Sequence, residues 1–378
     1  MLGTYVETPQ NTRATELLDA LRAGGHQLDD CHVPLNESGG RHRHLSGAAT
    51  MLLHLMRMLA AWCGVARKYL RAPRPDLIVV PYPSHLDVLL ARVLSAGRIP
   101  VIMDAFLGLY DTVVDDRALL QPGKLPARAL RALEHLSLRS ADRVLLDTAC
   151  QCDMLAHSYD LEPARFLPVP LAVDEALWHP GPHAERNEHL QIVFWGTFIP
   201  LHGIETIVAA ARILQSRNAP VAIRLFGWGQ TAPEIARELE KDTPALLDWD
   251  RRIVAPSVLA DAVRHCDCVL GIFGTSAKAR RVVPYKVYQG MASARCIISA
   301  DTPAIREFLD DERNALLIPP GDPDALAHAV LRLCEDRKFC ERLGHAARAT
   351  FEERMSHAQI VDRLSGCISS LLQIRALQ

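Results

Sequence analysis

Residues 284–301, Pro-Tyr-Lys-Val-Tyr-Gln-Gly-Met-Ala-Ser-Ala-Arg-Cys-Ile-Ile-Ser-Ala-Asp, continue through Thr302-Pro-Ala-Ile-Arg-Glu307 and on to Asn314-Ala-Leu-Leu-Ile-Pro-Pro-Gly-Asp322. The order of apolar and polar residues reads as a short helix, a buried strand, a turn and the start of a second helix. Such a unit presents polar side chains at the carboxyl edge of a parallel sheet.

Outward from that stretch, strand-like apolar runs alternate with amphipathic helical runs, the pattern of a doubly wound α/β architecture. In the first half, strands are predicted at Asp76–Tyr82, Ile99–Asp104, Asp142–Thr148 and Arg165–Pro170. The turn-rich segment His179–Glu188 reads as an interdomain linker, and the pattern restarts at Gln191. In the second half, strands are predicted at 191–196, 221–227, 252–255, 268–273, 295–299 and 315–318. Helices are expected to begin near Gly203, Ala232, Ser257, Lys286, Pro303 and Pro323. The same alternation occurs twice, so two Rossmann-like domains are expected, 1–185 and 186–355, facing across a cleft. A last helix over 356–378 carries Ile360, Leu364, Ile368 and Leu371 on one face, which should bury.

The chain has 378 residues, more than one hydrophobic core usually serves. Its 49% hydrophobic and 23% charged residues mark a globular, soluble enzyme rather than a disordered segment. A net charge of -2 argues against nucleic acid as a partner, since phosphate recognition shows as a basic excess. Ten cysteines lack the dense spacing of a secreted disulfide scaffold. The pairs Cys150/Cys152 and Cys266/Cys268 permit a four-thiolate zinc reading, but their one-residue spacing and the apolar run after Cys268 favour plain packing. No basic and apolar leader is apparent at the N-terminus. A cytoplasmic location is expected, with the inner membrane surface as the alternative. That alternative comes from Ala48–Leu70, where His54, Arg57, Arg67 and Lys68 interrupt an apolar run too often for a bilayer span. The cations, with Trp62 and Tyr69, allow peripheral membrane association beside the reading of an ordinary solvated face.

The opening stretch, with its "P-x-K-x-x-x-x-M-A", "D-T-P-A-x-R-E" and "N-A-L-L-I-P-P-G-D" patterns, resembles the donor region of family-four retaining glycosyltransferases of the GT-B fold. The resemblance is close over 190–352 and rests on layout and a few loop positions over 1–185. It implies that a nucleotide diphosphate sugar binds here as co-substrate, with no resident cofactor and no metal. It also implies that the last helix crosses back to the first domain. Departure of a diphosphate needs helix N-termini, glycine turns and cations. Trp195-Gly196-Thr197-Phe-Ile-Pro-Leu-His202-Gly203 resembles the family's first glycine turn, and Gly227-Trp-Gly229 its second. Either is also what an ordinary strand-to-helix turn looks like. Lys286 is the strongest cation candidate, with Lys278, Arg280 and Arg281 nearby. By the same resemblance, Val254 and Pro256 lie where the nucleobase is laid, Thr275 and Ser276 reach diphosphate or sugar, and Tyr285 and Gln289 border the donor.

Two departures stand out. Relatives commonly place an Arg directly after the first glycine and a Lys directly before the later one, where this chain has Thr197 and His202. The family's Glu-x7-Glu pair falls on Val282 and Gln289. Gln289 can still hydrogen-bond a ribose hydroxyl, whereas Val282 cannot.

For the hydroxyl-bearing acceptor, of unknown identity, the candidates are first-domain loops at strand ends. They include Gly3-Thr4-Tyr5 with Asn11 and Arg13, Ser84 and His85, Asp104, and the polar run Tyr110–Arg117. The start at Met1 leaves little room for a full first strand, so that strand is short or the natural start lies upstream. The reading is a metal-independent retaining glycosyltransferase with His202, Lys286, His85 and Asp104 as catalytic candidates. Its alternatives are a nucleotide-sugar epimerase on the same fold and a non-catalytic nucleotide-sugar-binding relative.

Overall fold

The computed structural model describes residues 1–5, 12–35, 48–181 and 188–376. Asn11 and part of the predicted linker lie outside the described residues. The chain divides into two compact units. One comprises Met1–Tyr110, Leu120–Ala172 and Ala358–Gln378, the other Asp111–Leu119 and Val173–His357.

The first unit opens with β1 (Leu2–Gly3), α1 (Thr12–Ala23), β2 (Cys31–His32) and α2 (Ala48–Arg71). It continues with β3 (Ile78–Val80), α3 (Asp87–Leu94), β4 (Val101–Phe106), α4 (Leu125–Ser140), β5 (Arg143–Leu146), α5 (Ala149–Tyr159) and β6 (Phe166–Pro168). The first strand is only two residues long, and it pairs in parallel with β2. Strands β3 to β6 form a parallel sheet in sequence order. The period-two pleat sorts their side chains onto two faces. Ile78, Val80, Val101, Met103, Val144 and Leu146 share a core with Val88, Leu138 and Leu155. Val79, Ile102 and Leu145 face the opposite core with Leu17 and Leu21 of α1. Both faces are covered, as a parallel sheet requires.

Helix α2 buries Ala61 and Val65 but leaves Leu53, Leu55, Met56, Leu59 and Leu70 exposed. Among the described residues no helix is long and apolar enough to cross a membrane. Cys150 and Cys152 lie in α5 in the first unit, while Cys266 and Cys268 belong to the second.

The second unit contains β7 (Leu190–Trp195), α6 (Ile204–Ser216), β8 (Val221–Phe226), α7 (Ala232–Leu239), β9 (Leu247–Asp250), α8 (Pro256–Arg264) and β10 (Cys268–Leu270). It ends with α9 (Tyr285–Ala292), β11 (Cys296–Ala300), β12 (Leu316–Ile318), α10 (Pro323–Glu335) and α11 (Arg337–Arg354). The parallel strands run β12-β11-β10-β7-β8-β9. The chain winds outward from β7 to one edge, then resumes at β10 on the other side. The gap between β7 and β10 is therefore the topological switch point, where the carboxyl ends of the strands leave a crevice. Helix starts follow their local signals. Asp322 caps α10 by accepting from the Ala325 amide at 2.9 Å with Pro323 following, and Asp336 caps α11 through the Phe339 amide at 2.8 Å.

Two predicted elements fall elsewhere. The strand expected at 252–255 forms as β9, where Leu247 is buried and Asp248 exposed, while Ile253 is 82% exposed in a loop. β9 is an edge strand with one buried face, so an apolar-run criterion passes over it. The helix expected near Pro303 is one 3-10 turn, Ile305–Glu307.

The last helix, α12 (His357–Ala376), belongs to the first unit, where Ile360, Leu364, Ile368 and Leu371 are buried with Leu17, Val79, Ile102 and Leu145. Residues 111–119 do the converse. They follow β4 in sequence, yet their contacts place them in the second unit. They begin with a π-helical turn, Asp111–Asp116.

Candidate active site

The site begins where β7 ends at the switch point. Gly196 has φ +145, and a Cβ there would stand 3.0 Å from His202 Cε1 and 3.3 Å from Lys286 Nζ. A side chain at 196 would thus occupy the space these two groups face. At Gly227, with φ +133, a Cβ would overlap the Gly196 carbonyl, so the two glycine turns lie backbone against backbone. Beyond Gly196, Thr197 is exposed, and a 3-10 turn over Pro200–His202 leads to Gly203 in the left-handed region at φ +63. That conformation caps α6. The Phe273 amide donates to the His202 carbonyl at 3.1 Å and the Gly274 amide to Leu201 at 3.2 Å, which ties the turn after β7 to the segment after β10.

Lys286 and His202 meet in this frame. Pro284 precedes α9 and Lys286 is its second residue, so the side chain starts from the first turn of the helix. Its Nζ lies 3.2 Å from His202 Nε2 and 4.1 Å from the centre of the Phe194 ring. The His202 ring packs edge-on against the same Phe194. Both residues are buried. Burial pushes the Lys286 amine well below the ordinary lysine range. Burial and then the neighbouring Lys286 charge hold His202 well below the ordinary histidine range, against a smaller opposing effect of the Thr197 backbone. His202 Nδ1 has no hydrogen-bond partner of good geometry among the described residues. No carboxylate forms an ion pair with Lys286 among the described residues. A buried amine beside an imidazole, with no counter-anion, is costly in isolation and suited to an anionic ligand.

The other donor-side candidates spread around this pair. Gln289 is buried, and its Oε1 accepts from Trp195 Nε1 at 3.1 Å, so that oxygen is committed within the protein. Val282 is buried and apolar. Tyr285 is half-buried, Thr275 exposed, and Ser276 donates to Asp116 at 3.1 Å. Val254 and Pro256 are half-buried, with Pro256 the first residue of α8. Lys278 hydrogen-bonds Thr112 Oγ1, and Arg281 pairs with Asp111 at 2.5 Å. Acids and hydroxyls of the 111–119 segment therefore engage those two cations.

Sequence reasoning missed an aromatic stack beside the second glycine turn. Phe198 stacks on Trp249 at 5.2 Å, Trp249 on Trp228 at 5.7 Å, and Trp249 Nε1 donates to the Gly227 carbonyl at 2.9 Å. Arg251 lies over Trp249 at 4.5 Å. Trp228 inside Gly-Trp-Gly was the one local signal for it.

In the first unit, Asp104 has the wrong surroundings for a catalytic carboxylate. It is 0% exposed and paired with Arg13 through both oxygens, Nε to Oδ2 at 3.0 Å and Nη2 to Oδ1 at 3.0 Å. Arg13 also donates to the Val169 and Pro170 carbonyls, each at 3.1 Å. Asp104 and Arg13 thus hold the ends of β4, β6 and α1 together. His85 is buried, its Nε2 3.8 Å from Glu134, which itself accepts from the Leu109 and Tyr110 amides and from Tyr159. Ser84 donates to the Asp104 carbonyl at 2.7 Å, and Thr4 is bound to Asp87.

The comparisons agree with this architecture. The family description "Glycosyl transferases group 1" matches residues 189–336, and "Glycosyl transferase 4-like domain" matches residues 10–172. The D-inositol 3-phosphate glycosyltransferase of a Nocardioides species is 22% identical over 386 residues, spanning 91% of this chain and 81% of that protein. The phosphatidyl-myo-inositol mannosyltransferase of Mycolicibacterium smegmatis is 27% identical, over 48% of this chain and 46% of that one. Among solved structures, sucrose-phosphate synthase of Thermosynechococcus elongatus superposes with a TM-score of 0.73 at 18% identity, covering 97% of this chain and 94% of that one. Anabaena HepE in complex with UDP gives 0.67 at 15% identity, covering 95% and 97%. At such identities the structural likeness shows the fold alone. Fold and family matches together define a glycosyltransferase of the GT-B fold. The chain belongs to the family-four glycosyltransferases.

Proposed function

We propose that the chain is a retaining glycosyltransferase, independent of metal and of any resident cofactor, that moves a sugar from a nucleotide diphosphate sugar to an acceptor hydroxyl. The observation that carries this reading is the Lys286–His202 pair, buried behind Gly196 at the switch point with no carboxylate partner among the described residues. A diphosphate is the ligand whose charge such a pair fits, and its departure is the step the pair would assist. The fold neighbour HepE was solved with UDP and with UDP-glucose, which supports a nucleotide diphosphate sugar as the donor.

In the mechanism that family membership suggests, the diphosphate leaves and the acceptor attacks on the same face of the sugar. The leaving group is stabilised by Lys286, His202 and backbone N–H groups of the glycine turns, with no covalent enzyme nucleophile. Charge that a metal would otherwise neutralise falls to side-chain cations. Within the first unit, His85 is the residue we assign to the acceptor side. Peripheral docking of α2 on an anionic bilayer belongs to the same reading. Its support is the row of exposed leucines and the absence of any Asp or Glu between Glu37 and Asp76, a span that holds seven Lys and Arg.

Incubation with a panel of nucleotide sugars and candidate hydroxyl acceptors, followed by NMR of the product's anomeric centre, tests the reading. Transfer with the donor's anomeric configuration kept is expected. Epimerised nucleotide sugar, or binding without turnover, would contradict it in favour of an epimerase or a non-catalytic relative.

A further inference from the structure

A nucleoside diphosphate brings about two or three negative charges, and the turn that should meet them has no permanent cation. Residues 196–203 read Gly-Thr-Phe-Ile-Pro-Leu-His-Gly, so His202 is the one titratable group there and Lys286 the one committed amine beside it. Nearby Lys278 and Arg281 are engaged by Thr112 and Asp111. Further charge has to arrive from outside the turn.

We infer that Arg117, carried on the 111–119 segment, is the second cation of the diphosphate site. This rests on the proposed donor reading and adds to it a residue far from the glycine turns in sequence. Residues 111–119 belong to the second unit, although β4 precedes them and α4 follows. The segment is fastened there at four points. Asp111 pairs with Arg281, Thr112 bonds Lys278, Asp116 accepts from Ser276 at 3.1 Å, and the Arg117 carbonyl accepts from Gln230 at 3.3 Å, next to the second glycine turn. The anchored backbone brings Arg117 close enough for its charge to act on the His202 ring. Its side chain is half-buried, and Nε is enclosed with no hydrogen-bond partner among the described residues. Among the described residues the guanidinium enters no ion pair; the adjacent Asp116 accepts from Ser276 and feels the Lys278 charge more strongly than that of Arg117. A half-buried guanidinium outside any ion pair, near a Lys–His pair that likewise has no acidic partner among the described residues, is arranged to grip phosphate oxygens with its planar fork.

Calorimetric titration of UDP, GDP, ADP, CDP and dTDP into wild type, Arg117→Gln, Arg117→Lys and Lys286→Ala tests the inference. Arg117→Gln should bind the preferred nucleoside diphosphate at least tenfold more weakly, with much less change for the matching monophosphate. Arg117→Lys should recover part of the loss. A folded Arg117→Gln with wild-type affinity, beside a weakened Lys286→Ala, overturns this inference and leaves the donor reading standing. Wild-type protein that binds none of the five overturns both. Should Arg117→Gln not fold, phenylglyoxal labelling of wild-type protein decides. The Arg117 adduct should be suppressed by the nucleoside diphosphate, and labelling that ligand does not change overturns the inference.

Discussion

Lys286 Nζ lies 3.2 Å from His202 Nε2 although 84 residues separate them, and neither side chain has an acidic partner among the described residues. Burial holds both bases well below their ordinary ranges, because it disfavours their charged forms in the free protein. A diphosphate bound beside them, as proposed, would favour the charged forms.

Proton linkage follows from this pair. The unfolded chain binds more protons than the free folded protein between the depressed values and the ordinary ones, about 6.5 for His and 10.4 for Lys, so the pair's contribution makes stability rise with pH across that window. Ligand binding should take up protons, and affinity should fall as pH rises. Calorimetry of UDP or the preferred diphosphate in buffers of different ionisation heat measures the uptake. Uptake of no protons would contradict the assignment.

Turnover should carry the same signature. If His202 supports departure of the diphosphate as imidazolium, the rate should drop as pH rises through its value in the complex, and His202→Lys should stay active with that limb moved upward. A His202→Ala enzyme matching wild type at every pH would remove this residue from the chemistry.

On the proposed reading, in which Lys286 and the glycine-turn amides would serve the leaving group, activity should survive EDTA. Loss of turnover on chelation, restored by magnesium or manganese, would show that a metal does that work.

Asp104→Ala should act on the fold. Removing the carboxylate leaves the buried Arg13 guanidinium uncompensated, for which a loss of about 3–5 kcal/mol is the usual scale. Denaturant unfolding measures it. A variant of unchanged stability that had lost only kcat would return Asp104 to the catalytic set.

Vesicle flotation addresses α2. Binding to phosphatidylglycerol vesicles, weakened by salt and by Leu55→Glu with Met56→Glu, is expected. Equal recovery with neutral phosphatidylcholine, or none with either at low salt, would rule out this surface as a bilayer contact.

Much of the fold was legible because burial leaves a local imprint. Runs such as Ile78–Val80 and Cys296–Ala300 are mostly apolar and buried on both faces, and Asp322-Pro323 announces a helix start. β9 was displaced because an edge strand keeps Asp248 in solvent, whereas Ile253 is apolar without being buried. Lys286, His202 and Gly196 could be singled out because their places at strand ends and helix starts match motifs that resemble the family's. Their mutual contact could not, since 84 residues of chain must fold to create it. Asp104 illustrates the opposite limit. Its position at a strand end suited a catalytic acid, but its pairing with Arg13 is a long-range event with no local signal. Residues 111–119 show the same limit at the scale of a segment, since sequence order assigns them to one unit and their contacts to the other.

The central claim, that the Lys286–His202 pair receives the donor's diphosphate, is tested most directly by titrating nucleoside diphosphates into wild-type and Lys286→Ala protein. One preferred nucleoside diphosphate is expected, with a loss of about 1.5–3 kcal/mol of binding free energy in a folded Lys286→Ala, the scale of a hydrogen bond to a charged group. Wild-type affinity in the folded variant would contradict it.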